Sequence, residues 1–240
     1  MDNNLCLIVG HPSSGKSTSL QYLKEPETVV YFNADCKALP FKMKFAANMA
    51  ITDPLDLLDY LDDCAENDDV KTIIVDTITY LMRTYKTLYV DEANDSRQAW
   101  GNYGKFYNKL MLKLKTLSND KTVIILAHAT EEYDEDSGNT VSKLVLQGGA
   151  GKASEGDFTT IVEAKSKPLN KKLMKYENEL LSFTEWEKED GIKYVFVTRK
   201  TKNEPNTLAR SANDLWEREM LYIDNSIQHL INRLEEYYSD

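Results

Sequence analysis

Apolar positions along the chain fall into two alternating patterns, short unbroken runs and longer stretches at helical spacing. Leu5 to Val9, Val29 to Phe32, Thr72 to Val75 and Thr122 to Ala127 are unbroken and short, the length of a buried strand. Phe158 to Ala164 and Tyr194 to Thr198 predict two further strands, and the strict alternation of Phe41-Lys42-Met43-Lys44-Phe45 predicts a half-exposed strand or ribbon. Between these runs, Lys16 to Lys24 predicts one short helix, ended by Glu25-Pro26-Glu27. Thr52-Asp53-Pro54 caps a helix with Leu57, Leu58, Leu61, Cys64 and Ala65 on one face. Its other face carries Asp53, Asp56, Asp59, Asp62, Asp63, Glu66, Asp68 and Asp69 with no lysine or arginine among them, a solvated acidic surface that would repel DNA. Residues 78 to 90 fit another helix, and Asp95-Ser96 caps a longer one running to about Leu117. Glu131 to Thr140, with its Ser137-Gly138-Asn139 turn, predicts a protruding hairpin, and Gln147-Gly148-Gly149-Ala150-Gly151-Lys152 a mobile connection. Lys165 to Glu189 is charge-rich and expected to be a partly helical insertion. Ile227, Leu230, Ile231 and Leu234 share one side of a terminal helix capped near Asp224-Asn225.

The first apolar run breaks into Gly10-His11-Pro12-Ser13-Ser14-Gly15-Lys16-Ser17-Thr18, the spacing of a phosphate-binding loop. Gly10 and Gly15 permit backbone angles that let successive N–H groups turn inward around an anion. Lys16 supplies a positive charge at the β and γ phosphates, Ser17 a hydroxyl for Mg²⁺, and the helix beginning near Gly15 its positive end. His11 reads as a spacer in the loop, because His11, His128 and His229 lack any metal-type spacing. The run ending at Asp76 supplies what a second nucleotide motif requires, a buried strand that delivers a carboxylate beside the Mg²⁺. Asp76 is followed by Thr77 where many ATPases carry glutamate, so the base that activates water is expected elsewhere. The strand between the two motifs would lie beside the Asp76 strand, and Asp35 at its end could reach a water in line with the γ-phosphate.

At 240 residues the chain accommodates one α/β domain with additions, residues 1–240, and two would be cramped. A net charge of −10 confines any DNA binding to a local surface. Cys6, Cys36 and Cys64 lack a paired spacing and read as reduced thiols, which points to the cytoplasm. Met1-Asp2-Asn3-Asn4 resembles neither a signal peptide nor a lipidation signal, and no apolar run approaches a membrane span, so no membrane partner and no preceding domain are expected.

Taken together, these positions resemble the RecA-type recombinase core, and more narrowly the phage-encoded, core-only recombinase and single-strand annealing ATPases. Asn33-Ala34-Asp35 is similar to the strand end at which those proteins carry a catalytic glutamate. Val75-Asp76-Thr77 is similar to their second nucleotide motif, and His128 falls where they place a γ-phosphate-sensing glutamine. Further shared traits are Leu39-Pro40-Phe41-Lys42, Trp100 opening a helix, Arg199-Lys200-Thr201-Lys202 after a strand, and Ile223-Asp224-Asn225 before a final helix ending Tyr237-Tyr238. The resemblance leaves 165–189 unmatched. Aspartate is one methylene shorter than the family's glutamate, and histidine can change charge where glutamine cannot.

The resemblance implies a RecA-like P-loop ATPase fold: a mostly parallel central sheet flanked by helices, with a C-terminal β extension and a terminal helix. It implies ATP and Mg²⁺ as cofactors, with Gly10 to Thr18 around the nucleotide, Ser17 and Asp76 on the metal, and Lys16, Asp35, Asp76 and His128 in catalysis. Lys200 and Lys202 are similar to a pair that reaches the ATP of a neighbouring subunit, though a solvated basic loop has the same composition. The implied partners are single-stranded DNA, further copies of the chain in a ring or filament, and a single-strand DNA-binding protein, in a bacterial host cytoplasm for a phage protein. The implied activity is ATP-dependent annealing or strand exchange in recombination. The alternative is a P-loop kinase acting on a small molecule, which would want an arginine-rich lid that this chain lacks. Lys105, Lys109 and Lys113 on one helix face, or Lys165, Lys167, Lys171, Lys172 and Lys175, could track phosphates, and the helix stripe reads better as a solvated face. Trp100, Tyr103, Phe106 and Tyr107 could stack bases, but their spacing more often marks core.

Overall fold

The short apolar runs are continuous because both of their faces are covered, a condition met by strands of a parallel sheet with layers on either side. The protein is described by a computed structural model over residues 4–135, 139–147 and 154–238. In chain order its elements are β1 (Leu5–Gly10), β2 (Val29–Asn33), β3 (Ala47–Ala50), α1 (Asp56–Glu66), β4 (Thr72–Asp76), α2 (Ile78–Tyr89), α3 (Ser96–Leu117), β5 (Thr122–Asp134), β6 (Asn139–Leu144), β7 (Thr160–Pro168), α4 (Lys171–Met174), α5 (Glu185–Asp190), β8 (Ile192–Val197), β9 (Tyr222–Asp224) and α6 (Ile227–Tyr238). The sheet runs β3-β2-β4-β5-β1-β7-β8-β9, with β6 paired to the far half of β5. From β3 to β7 every neighbour is parallel, and β7–β8, β8–β9 and β5–β6 are antiparallel. This is the α/β architecture expected, a mostly parallel sheet flanked by helices and extended by antiparallel strands.

Successive residues of each central strand point into opposite layers. Leu5, Leu7, Val9, Ile73, Val75, Val123 and Ile125 pack against α1, α2 and α3. Cys6, Ile8, Tyr31, Ile74, Ile124 and Leu126 pack against α6 and the turn following β1. Burial pushes the Cys6 thiol up to about 12 and the Cys64 thiol up to about 11, as befits cysteines used for packing. Among the described residues no helix is long and apolar enough to cross a membrane.

Several expectations are corrected. The helix expected over Lys16 to Lys24 is a 3₁₀ turn over Ser17–Tyr22. Its serine-rich start competes with the backbone, since the Ser19 hydroxyl donates to the Lys16 carbonyl at 2.6 Å. Phe41 to Phe45 joins no strand; the ladder partner of β2 is β3, a few residues later. The alternation arises because Phe41, Met43 and Phe45 turn onto the α6-side core, with Phe45 stacked on Tyr31 at 5.3 Å, while the intervening lysines face water. The helix expected to be capped at Thr52-Asp53-Pro54 begins at Asp56, because Asp53 accepts from the Leu55 N–H in a local turn instead. The strand expected over Phe158 to Ala164 is shifted to β7, and Lys165 to Pro168, assigned to an insertion, belong to it because they pair with β8. Only α4 and α5 interrupt the remainder of that segment. β5 runs past Ala127 to Asp134 because its second half finds β6 as partner, giving the expected hairpin. The hairpin tip at 136–138, the glycine-rich stretch 148–153 and Met1 to Asn3 lie outside the described residues.

Candidate nucleotide-binding site

Parallel strands carry their chain the same way, so the loops leaving their C-terminal ends gather at one edge of the sheet, where ligands of such folds bind. Gly10 lies in register with His128, and Asn33 with Asp76. The loop after β1, Asp35 after β2, Asp76 at the end of β4 and His128 on β5 therefore meet, although the chain separates them by up to more than a hundred residues. Lys16, Ser17, Asp35, Asp76 and His128 line one cavity of about 310 Å³, together with Pro12, Ser13, Gly15 and Thr18.

The loop itself is tightly seated. A Cβ at Gly10 would lie 2.4 Å from Ser14 Oγ and 2.7 Å from the Ala164 carbonyl. Gly15 has φ +94, a conformation that side chains resist, and a Cβ there would lie 2.4 Å from Asn225 Nδ2. Asn225 donates to the Gly15 carbonyl at 2.8 Å, so a residue two positions before α6 braces the loop from the other end of the chain. Lys16 is 6% exposed and folds back onto its own loop, donating to the carbonyls of Gly10 and His11 at 2.8 Å each. Loss of water lowers its ammonium to about 8, against the opposing pull of Asp76 and Asp35. His11 and Ser14 do not line the cavity, and the His11 ring sits 3.7 Å from Glu131 instead.

Asp76 is buried, and its Oδ2 accepts from Ser17 Oγ at 2.7 Å and from the Tyr31 hydroxyl at 2.8 Å. Burial raises the Asp76 carboxyl, while those two hydrogen bonds hold it down. Among the described residues its Oδ1 has no hydrogen-bond partner. An orphaned carboxylate oxygen beside a serine hydroxyl is the hard-oxygen donor set that suits Mg²⁺ completed by phosphate and water oxygens, so the residues present fit the cation. Asp35 Oδ1 accepts from both the backbone N–H and the hydroxyl of Thr77, at 3.1 and 2.8 Å. Thr77 therefore aims Asp35 into the cavity. The peptide joining Asp76 to Thr77 is cis. The His128 backbone N–H is held by Thr79 Oγ1 at 3.0 Å, and among the described residues neither ring nitrogen of His128 has a partner. Burial first, then the charge of Lys16, lowers His128 below its ordinary value and keeps it neutral at pH 7.

A second cavity of about 480 Å³ shares Gly15 and Thr18 with the first and is walled by Tyr22, Tyr194, Lys193 and His229. Its position at the exit of the loop leaves room for a nucleoside whose phosphates lie in the smaller cavity. Tyr31, Thr77, Thr79 and Asn225 were not singled out for these roles by the sequence. Thr77 and Asn225 stood in motifs read for other reasons, Tyr31 showed a polar tip within the apolar run Val29 to Phe32, and Thr79 carried no signal.

The remaining candidates lie apart. Lys200 and Lys202 are exposed on a turn closed by the Thr201–Glu204 bridge and line neither cavity. Lys165 and Lys167 both pair with Glu204, and Lys113 ties α3 to Leu58 and Asp62 of α1. Lys105, Lys109, Lys171, Lys172 and Lys175 are exposed. Tyr103, Phe106 and Tyr107 are buried in the core, and Trp100 packs edge-on against Tyr103 at 5.3 Å.

A glycine-bracketed loop, a lysine, and a hydroxyl joined to a strand-end carboxylate, all at the C-terminal edge of a parallel sheet, define a P-loop nucleoside triphosphatase. The chain belongs to the AAA domain family, whose model matches residues 2–211. A search of the curated proteins found no match.

Proposed function

We propose that the chain is a RecA-like ATPase that binds single-stranded DNA and promotes its annealing or strand exchange as a homo-oligomer. In this reading Asp35 accepts a proton from the water that attacks the γ-phosphorus. The bond to the β-bridging oxygen breaks, and ADP and phosphate leave. Ser17 and Asp76 would hold Mg²⁺, which would neutralise charge at the phosphate oxygens; Lys16 binds the β and γ phosphates, and neutral His128 meets the γ-phosphate as a hydrogen-bond partner. In this reading Lys200 and Lys202, which line neither cavity of their own subunit, act on the nucleotide of a neighbour.

The observation that carries the DNA-coupled reading is the position of His128. Its side chain lines the phosphate cavity and also a neighbouring cavity of about 420 Å³ that opens beside Tyr80 and Arg83. One residue thus touches both the place where the γ-phosphate is lost and an aromatic, cationic surface outside it. The test is ATP hydrolysis with and without single-stranded DNA, with DNA affinity measured by fluorescence anisotropy across salt concentrations. Stimulated turnover and nucleotide-tightened binding are expected. The salt slope should be roughly 0.7 per phosphate contact, and shallow overall because the net charge of −10 leaves room for few contacts. Absence of binding to single strands at low salt with nucleotide present would overturn this function.

A further inference from the structure

Tyr80 stands on the first turn of α2, half-exposed, with its ring edge-on to His128 at a centroid distance of 5.5 Å and an interplanar angle of 72°. Two cations converge on that ring, the Lys37 ammonium at 5.0 Å and the Arg83 guanidinium at 5.9 Å from its centroid. Both side chains are exposed, and among the described residues neither forms an ion pair. Lysines elsewhere, such as Lys86, Lys113 and Lys165, do have acidic partners. The 420 Å³ cavity behind Tyr80 and Arg83 continues past His128 to the buried ring of Tyr103 and to Gln147. That volume suits one planar base, and the amide of Gln147 can give or accept a hydrogen bond at its edge.

From this arrangement we infer that Tyr80 is a stacking platform for one base of single-stranded DNA, with Lys37 and Arg83 holding the phosphates on either side. The inference rests on the DNA-binding function proposed above and assigns it a site. Two unneutralised cations over one π face match a nucleotide within a strand: a base that stacks on the ring displaces them from it onto the adjacent phosphates, where they meet opposite charge. Unpaired strands are favoured because a duplex keeps its base faces stacked on one another. The contact also explains how occupancy reaches the nucleotide. Tyr80 touches His128, and Lys37 lines the phosphate cavity while reaching over the Tyr80 ring, so a base on Tyr80 and a γ-phosphate beside His128 meet side chains that are in mutual contact, and each ligand alters the affinity of the other equally.

The experiment uses the full chain with Mg²⁺ and a non-hydrolysable ATP analogue, titrating a fluorescein-labelled oligothymidylate at several salt concentrations. Tyr80→Leu keeps an apolar side chain of similar bulk and should weaken DNA binding by about 5-fold to 150-fold, the loss of one stacked base. Tyr80→Phe should restore wild-type affinity, which a role in folding through the hydroxyl would not allow. Arg83→Gln should reduce the salt slope by about 0.7, one phosphate contact. Tyr80→Leu and Arg83→Gln should both bind a fluorescent ATP analogue like wild type in the absence of DNA, showing that the fold and nucleotide site are intact. If wild type binds the strand and both variants bind it with unchanged affinity and slope, the site is wrong while the proposed function stands. If wild type itself fails to bind single strands, the function and this site fall together.

Discussion

Lys16 meets two opposing demands, a buried position that disfavours its charge and a ligand that requires it. In the ligand-free protein burial lowers the ammonium to about 8, and the carbonyls of Gly10 and His11 each accept a hydrogen bond from it. A bound polyphosphate favours the charged form and raises that value, so nucleotide binding takes up a proton above pH about 8 and none well below it. Affinity should therefore be flat through neutral pH and fall by up to about tenfold per pH unit above pH about 8. Calorimetric titration in buffers of different ionisation enthalpy measures both the affinity and the proton uptake. Lys16→Ala should abolish nucleotide binding or turnover and remove this pH dependence. Asp35 makes a different prediction. Thr77 holds one carboxylate oxygen and leaves the other for water, so Asp35→Asn should keep both Thr77 contacts reachable and retain ATP binding. It should lose hydrolysis by about 10² or more, because an amide does not accept the water's proton. Turnover by Asp35→Asn at the wild-type rate would move the base elsewhere, with Asp76 and Glu131 the next to test.

At the scale of elements, the phosphate loop depends on a helix from the far end of the chain. The 3₁₀ turn after the loop is short and serine-rich, so its position comes from packing: Leu20 and Leu23 share a core with Ile227, Leu230, Ile231 and Leu234 of α6. Gln228 accepts from the Lys24 N–H at 2.9 Å, and Asn225 ties down Gly15. Leu230→Ala should cost about 2–5 kcal/mol of stability in denaturant unfolding, and it should weaken nucleotide binding under conditions where the chain is still folded. Wild-type nucleotide affinity in the folded variant would show that the loop is held by β1 alone. The long helix α3 was legible from its Asp95 cap, whose side chain accepts from the Gln98 N–H, to its end, expected near Leu117 and found there. So was β4, whose β-branched run ends where the sheet does, at Asp76. Phe41 to Phe45 misled because alternation records which side chains are covered, and a segment lying over the core can satisfy it without a ladder partner. β9 escaped notice because three residues carry too little pattern, and its pairing with β8 decides it.

Across the whole molecule, a net charge of −10 sits on a surface whose acids are unevenly spread. Asp56, Asp59, Asp62 and Asp63 face water from α1, while Lys200 and Lys202 project from the turn after β8 and, among the described residues, form no ion pair. If those lysines act on a neighbour's nucleotide, a Lys200/Lys202 double alanine variant and Asp35→Asn lack different halves of a shared site. Each alone should be nearly inactive, with the double lysine variant down by as much as ~10³ to 10⁵, the range for cations supplied in trans. Mixed in equal amounts, they should recover part of the wild-type ATPase rate, since some interfaces combine an intact Asp35 with intact lysines. Verified mixed oligomers without recovery would leave Lys200 and Lys202 as a solvated loop.

What the sequence alone determined is whatever rests on local spacing: the phosphate loop with its two glycines, the strand ending in Asp76, the capped helix α3, and the alternation of strand and helix that makes an α/β sheet. These follow from backbone freedom at Gly10 and Gly15 and from which residues need to leave water. Tertiary structure alone decided which side chains are brought against that loop. Asn225 reaches Gly15 across more than two hundred residues, Thr77 orients Asp35, Tyr31 shares Asp76 with Ser17, and His128 stands between the phosphate cavity and Tyr80. None of these pairings has a sequence period, because each is set by strand order and register in the sheet, and the order β2-β4-β5-β1 is chosen by how whole faces pack.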